Sequence, residues 1–260
     1  ASFLHRFLQD EDPSESYGKQ FRGTAANTEM PMTQLLRDYP RPDLEVEETD
    51  YGLRLIALRQ LDDGRTHVRV TNQIFPEAIC IPMSNEMTIT PWHVPVDDET
   101  CYWYSMFTSF GQPVNKQLMR EQRLKEHRLP DYAPLKNKRN NYGYNPEEQQ
   151  AETYTGMGLD INVHDQWAVE SPGPIFDRTN EHLATSDKAI IAYRRMLRRA
   201  IDAVANGGHL PGIPNGKALD TKGPVAVDAI APDAAWQPVW RERDTERRDG
   251  CSWTVSAAGE

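Results

Sequence analysis

Between Leu44 and Phe110 the chain carries about five strand-like runs joined by short turns, too short for the crossovers that parallel strands need. Leu44-Glu45-Val46-Glu47 alternates apolar and polar residues, and Leu53–Leu61 carries apolar residues on both faces in part. Asp62-Asp63-Gly64 is a hairpin signal, and Thr66–Phe75 follows as a β-rich run. Met87–Pro91 and Thr100–Phe110 are two further strands, joined by a Pro-bearing polar turn at Val94–Glu99. Such a succession predicts an antiparallel sheet with a core-facing side.

Helical patterns flank this block. Ala1–Gln9 reads as a helix with Phe3, Leu4, Phe7 and Leu8 on one face. Glu11–Pro42 is loop-rich, with one short helix at Met32–Asp38. Val114–Arg128 is a charged helix ended by Pro130, and Asn137–Gln150 is a polar covering loop. A further helix lies within Gly158–Glu170. The last long helix runs Asp187–Asn206, capped by Ser186 and stopped at Gly207-Gly208. Its predicted apolar stripe is Ile190, Tyr193, Leu197, Ile201 and Val204. Strands followed by helices predict an α+β fold. Residues 1–208 are expected to form one domain, and 209–260, rich in Pro and Gly, a surface-wrapping tail anchored at Trp236, Val239, Trp240 and Trp253.

At 260 residues the chain can bury a full core. Its 29 cationic and 39 acidic side chains give a net charge of −10. That excludes a non-specific nucleic-acid binder, whose affinity comes from neutralising phosphates, and disfavours an anionic membrane surface. No apolar run approaches the roughly 20 residues of a spanning helix, and no signal peptide opens the chain. Cys80, Cys101 and Cys251 are widely spaced, with no zinc or iron–sulfur pattern. Reduced thiols in a cytoplasmic protein are the expectation.

The chemistry-bearing candidates are few. Asp165 stands near the start of a helical run that ends in Ser171-Pro172-Gly173-Pro174, and spacing alone makes it an N-cap. His164 is its neighbour, but adjacent helical side chains point about 100° apart, so both can hardly reach one ion. We read His164 as standing behind the site or as structural. His67, His93, His127, His182 and His209 show no ligand spacing. Strand alternation puts Arg69 and Thr71 on one face, with the flanking valines on the other. An inward Arg69 would bind a substrate carboxylate by charge-assisted hydrogen bonds; an outward one would be solvated. Arg54 and Arg59 are weaker candidates. Trp92, Trp103, Trp167 and the Tyr102/Tyr104 pair read as packing residues.

Asn162–Ile191 reads N-V-x-D-x-x-A-x-E-S-x-G-P-I-x-D-R-T-x-E-H-L-x-x-S-D-K-A-I-I. In that order it resembles the iron-carboxylate segment of Rieske-type non-haem iron aromatic-ring oxygenases, phthalate-dioxygenase-like branch, in the catalytic domain of the oxygenase (α) subunit. The resemblance makes Asp165 the carboxylate ligand. In the family a His, four residues and a second His share a helix; Ala-Ser-Phe-Leu-His matches the four spacers and the second His, which makes His5 a ligand. By the same likeness the first His, and an Asp that links the iron to a neighbouring cluster, belong just upstream of Ala1. Ala1, one helical turn before His5, would border the iron and leave room for substrate. The family's Rieske domain, with its Cys-x-His and Cys-x-x-His pairs, is not within this chain.

The resemblance implies a helix-grip (StAR-related lipid-transfer-like) fold, a twisted antiparallel sheet with a long C-terminal helix. His5 and Asp165 would hold one Fe(II) that uses O2 to dihydroxylate an aromatic, carboxylated substrate or to remove an O-methyl group. Electrons would come from a Rieske [2Fe–2S] cluster, in a neighbouring subunit of a homotrimer or hexamer, fed by a separate flavin- or ferredoxin-type reductase. The alternatives are a metal-free helix-grip module holding a hydrophobic ligand, and a hydrolytic site with a different ion.

Overall fold

Six consecutive strands lie early in the chain and pair into one sheet. The computed structural model describes residues 4–6, 8, 32–83, 86–210 and 224–251. After a short helix α1 (Met32–Asp38) come β1 (Asp43–Thr49), β2 (Gly52–Gln60), β3 (Thr66–Ile74), β4 (Ala78–Pro82), β5 (Met87–Pro95) and β6 (Cys101–Ser109). They pair in sequence order, each antiparallel to the next. Then follow α2 (Lys116–Glu126), a small ribbon of β7 (His127–Arg128) with β8 (Ala133–Pro134), α3 (Pro146–Ala151), α4 (Ile161–Glu170) and α5 (Lys188–Ala205). The described chain ends with β9 (Val227–Ala231) and α6 (Gln237–Asp249).

Register fixes which side chains share a face. Arg69 lies opposite Ala57, Thr71 opposite Leu55, and Gln73 opposite both Leu53 and Ile79. Ile81 pairs with Ile89, and Ile89 with Phe107. Because side chains alternate along a strand, Leu53, Leu55, Arg69, Thr71, Ile81, Ile89 and Phe107 line one face. Onto it α5 packs through Met196 and Ala200 against Leu53 and Leu55. Met119 of α2 and Ile161 of α4 pack on the same face, against Ile81, Ile89 and Phe107. The opposite face buries Ile56, Leu58, Val68 and Val70 under Trp236 and Trp240. The architecture is the expected α+β helix-grip arrangement: an antiparallel sheet gripped by helices, with α5 the longest.

Several elements differ from expectation. The stretch read as a surface-wrapping tail supplies β9, buried at every position, and α6, which closes one face. β3 is flanked by β2 on one edge, while its other edge is divided: Asn72–Ile74 pair with β4 and Thr66–Val70 with β9. In Val-Asp-Ala-Ile-Ala the buried Asp228 and two alanines hide the strand from a propensity reading. β4 was also not expected from the sequence. The helix expected at residues 1–9 falls mostly outside the described residues; Leu4 and His5 stand in a turn and Arg6 is irregular. Backbone bonds from Leu8 N–H to Glu152 O (2.8 Å) and from Tyr154 N–H to Arg6 O (2.9 Å) use groups a helix would need. On α5, Tyr193 and Leu197 do pack inward, but Ile190, Ile201 and Val204 are exposed. The helix lies over β1 and β2 at the sheet's edge, so only one side of its apolar stripe is covered. Ser186 falls in a short 3-10 turn, and Asp187 precedes α5 instead.

Candidate functional site

Helix α4 carries the carboxylate. Its N-cap is Asp160, whose Oδ1 accepts from Asn162 N–H (2.9 Å) while Oδ2 takes Arg123 Nη2 (2.6 Å). Asp165 is therefore not the cap that spacing suggested, and it does not begin the helix. It sits mid-helix, its side chain 38% exposed. Val163 and Trp167, four residues apart on one face, pack on Tyr142 and Met157. At the far end Glu170 accepts from Tyr142 Oη (2.7 Å); burial and then this carboxylate push the Tyr142 phenol up to about 12. The loop before α3 thus clamps α4 and fixes where Asp165 stands.

His5 reaches Asp165 from the other end of the chain. Its Nε2 lies 3.1 Å from Asp165 Oδ1, and its side chain is 16% exposed. The backbone bonds of Arg6 with Tyr154 and of Leu8 with Glu152 hold it there. Behind it is His164, fully buried, its ring stacked at 21° to that of His5 with centroids 5.7 Å apart. The two Nδ1 atoms are 3.5 Å apart, and His164 Nε2 is 2.8 Å from Gly158 O. Burial, opposed by the Gly158 carbonyl, pulls the His164 imidazole down to about 4, so it is neutral at ordinary pH. A carbonyl only accepts, so Nε2 carries the proton and Nδ1 a lone pair. The loop that supplies Gly158 is itself anchored. Glu148 Oε1 takes both Gly158 N–H (2.7 Å) and the Thr153 hydroxyl (2.6 Å).

An imidazole nitrogen and a carboxylate oxygen facing each other at 3.1 Å suit one divalent ion. With bonds of about 2.1 Å, two donors in neighbouring octahedral positions stand about 3 Å apart. One imidazole and one carboxylate are two of the three donors of a facial iron triad. Among the described residues no group of three or more His, Cys, Asp and Glu gathers around this point. A cleft of about 350 Å³ is lined by Leu4, Tyr144, Tyr154, Met157 and Trp167, on the side of α4 that packs on Tyr142, and neither His5 nor Asp165 lines it.

Arg69 does lie on the face that α4 and α5 cover. Its Nη1 donates to Asp228 Oδ2 (2.6 Å) and its Nη2 to Pro82 O (2.8 Å). Asp228 also meets His67 Nε2 (3.1 Å), and His67 Nδ1 is 3.5 Å from Arg59 Nη1. Burial, and then Arg69, bring Arg59 down to about 10. Arg54 belongs to the opposite face, bonded to Glu47 (2.8 Å) and stacked over Trp240. Ala1 lies outside the described residues. Sequence reasoning missed Asp228, Glu148 and Gly158; only an acid inside an apolar run, and a glycine just ahead of a helix, hinted at them.

A family model described as "LigXa C-terminal domain like" matches residues 22–252. Among curated proteins the chain is 31% identical over 176 residues to the phthalate 4,5-dioxygenase oxygenase subunit of Pseudomonas putida, covering 64% of this chain and 39% of that protein. It is 28% identical over 180 residues to the phenoxybenzoate dioxygenase subunit alpha of Ectopseudomonas oleovorans (66% and 37%). It is 27% identical over 192 residues to the 3-chlorobenzoate-3,4-dioxygenase oxygenase subunit of Comamonas testosteroni (66% and 44%). The matched region spans less than half the length of each relative. The match bears out the resemblance carried by Asn162–Ile191. Among the described residues no helix is long and apolar enough to cross a membrane.

Proposed function

Because the chain belongs to the LigXa C-terminal-domain-like family, we propose that it is the catalytic domain of an aromatic-ring oxygenase, with His5 and Asp165 as two ligands of a mononuclear Fe(II). The observation that carries this is the meeting of His5 Nε2 and Asp165 Oδ1 at 3.1 Å, from opposite parts of the chain. Bound there by His5 and Asp165, ferrous iron would supply the redox centre for activating O2 beside the substrate. The chain's own part is to fix the two donors. Helix α4 holds the carboxylate rigidly by packing Val163 and Trp167, and the 152–158 loop holds the imidazole.

The substrate in this reading is an aromatic carboxylate. The three relatives are named for phthalate, phenoxybenzoate and 3-chlorobenzoate, each a carboxylated ring. Arg69 is the cation we assign to that carboxylate. Asp228 and Pro82 O orient its guanidinium, and a guanidinium has five N–H donors, so others remain for a ligand. Ala1, four residues ahead of His5, would border the iron. Dihydroxylation puts both atoms of O2 on the ring, with two electrons and two protons; O-demethylation puts one atom on the methyl carbon and the other into water. Electrons would come through a Rieske [2Fe–2S] cluster and a separate reductase, within a cytoplasmic homotrimer or hexamer.

The test is turnover of the full-length oxygenase with its reductase on phthalate and substituted benzoates. We expect product that needs O2 and NAD(P)H, carries 18O from labelled O2, and disappears in Asp165→Ala. An Asp165→Ala enzyme with near-normal turnover would remove Asp165 from this role.

A further inference from the structure

His164 is a fully buried imidazole standing next to Asp165. Its contacts point to His5. Gly158 O, 2.8 Å from Nε2, accepts and cannot donate, so that nitrogen carries the proton. The alternative tautomer would set a lone pair against the carbonyl oxygen in a buried place, at the cost of an unmet acceptor. Nδ1 of His164 is then a lone pair, 3.5 Å from His5 Nδ1. The two nitrogens bond only if His5 Nδ1 bears the hydrogen. A neutral His5 so held has its free lone pair on Nε2, the atom 3.1 Å from Asp165 Oδ1, which suits an ion held between the two; with no ion the carboxylate favours a proton on Nε2 and competes with His164.

We propose that His164 is a positioning residue: by accepting from His5 Nδ1–H it holds His5 as the tautomer whose Nε2 lone pair is turned toward Asp165, ready for a metal ion. The arrangement extends inward. His164 is fixed by Gly158 O, and Gly158 N–H by Glu148. Gly158 needs its left-handed backbone (φ +86°) for this turn, and a Cβ there would come within 2.7 Å of Lys136 Nζ. A metal-bound His ordinarily gives its second N–H to a carboxylate, a backbone carbonyl or water. Here the acceptor is another imidazole, one residue before the carboxylate ligand on the same helix. One rigid element therefore presents a ligand and orients its partner.

The inference rests on the iron-site reading, so its test separates the two. In the full-length Asp165→Ala subunit labelled with 15N-histidine, where no carboxylate competes for the Nε2 proton, metal-free and at about pH 8.5, where an ordinary imidazole is neutral, the 15N shifts report each tautomer. His5 is assigned by its loss in His5→Gln. Two variants share one defect: His164→Asn and His164→Leu both remove the Nε2–H donor to Gly158. Only Asn keeps an acceptor, its Oδ1, where Nδ1 stood. In that Asp165→Ala background we expect the Nδ1–H tautomer of His5 with His164 intact and with His164→Asn, and a mixture with His164→Leu; the Fe(II) titrations keep Asp165. In anaerobic Fe(II) titrations we expect His164→Leu to weaken binding about 10- to 100-fold, the usual effect of losing a partner behind a ligand, and His164→Asn to stay within about threefold of wild type. If Asn and Leu lose affinity equally, or if Leu keeps both the tautomer and the affinity, the proposal is overturned and His164 is only packing. If wild type binds no Fe(II), the iron reading fails, and the tautomer comparison still decides what His164 does to His5.

Discussion

Asp228 lies beneath two partners, His67 and Arg69, on a strand with no exposed residue. Taking away one member of a buried charged set leaves the others unmatched, which typically costs about 3–5 kcal/mol. Asp228→Ala should therefore destabilise strongly in urea unfolding, while the exposed acid Asp98, mutated to Ala, should stay within about 0.5 kcal/mol. Equal losses for the two would show that the buried cluster is not structural. The same cluster makes stability depend on pH. Burial lowers the His67 pKa from its ordinary 6.5, although Asp228 pulls the other way. A depressed folded value means that the unfolded chain takes the proton first as pH falls. The contribution is complete above about pH 6.5 and declines below it, by at most about 1.4 kcal/mol per pH unit. Unfolding curves between pH 8 and 5 should show this decline, and His67→Gln should flatten it. A slope unchanged in His67→Gln would assign it to other groups. At this scale the sequence singled out Asp165 through a long ordered motif and His5 through the four spacer residues before it. It reported neither Asp228 nor the orientation of His164, because both depend on partners distant along the chain.

Helix α5 shows how far periodicity reaches at the scale of an element. The 3.6-residue repeat located the helix to within a residue or so at each end. It could not say that only a sheet edge lies beneath. Met196 (3% exposed), absent from the predicted stripe, is buried against Leu53 and Phe75, whereas Ile201 is 57% exposed. Met196→Ala should cost about 2–5 kcal/mol and Ile201→Ala well under 1 kcal/mol. The order of the two denaturation midpoints checks this, and a reversal would mean that α5 is rotated from its described packing. The neighbouring α4 was likewise found as a helix but misjudged at its start. Asp160 and Asp165 are both plausible caps by composition, and only the bond from Asn162 N–H decides between them.

For the whole molecule, the order of strands then helices was enough to give an antiparallel sheet and an α+β fold. The same reasoning set residues 209–260 aside as a tail, since Pro and Gly recur through their first half. Yet β9 completes the divided edge of β3, and Trp236 and Trp240 cover one side of the sheet. A chain ending at residue 210 would leave those groups bare, so it should be insoluble or lack a cooperative unfolding transition. A soluble truncated protein that unfolds cooperatively would restore the tail reading. What the architecture achieves is to bring an imidazole from the first residues to a carboxylate on a mid-chain helix whose first residue packs on the sheet face that carries Arg69. Its most direct test is iron stoichiometry after anaerobic Fe(II) reconstitution of the full-length subunit, with any cluster iron counted separately. The account predicts one mononuclear iron per chain in wild type and none in His5→Ala or Asp165→Ala, with far-UV circular dichroism unchanged. Iron retained in Asp165→Ala, or none bound by the wild-type protein, would contradict it.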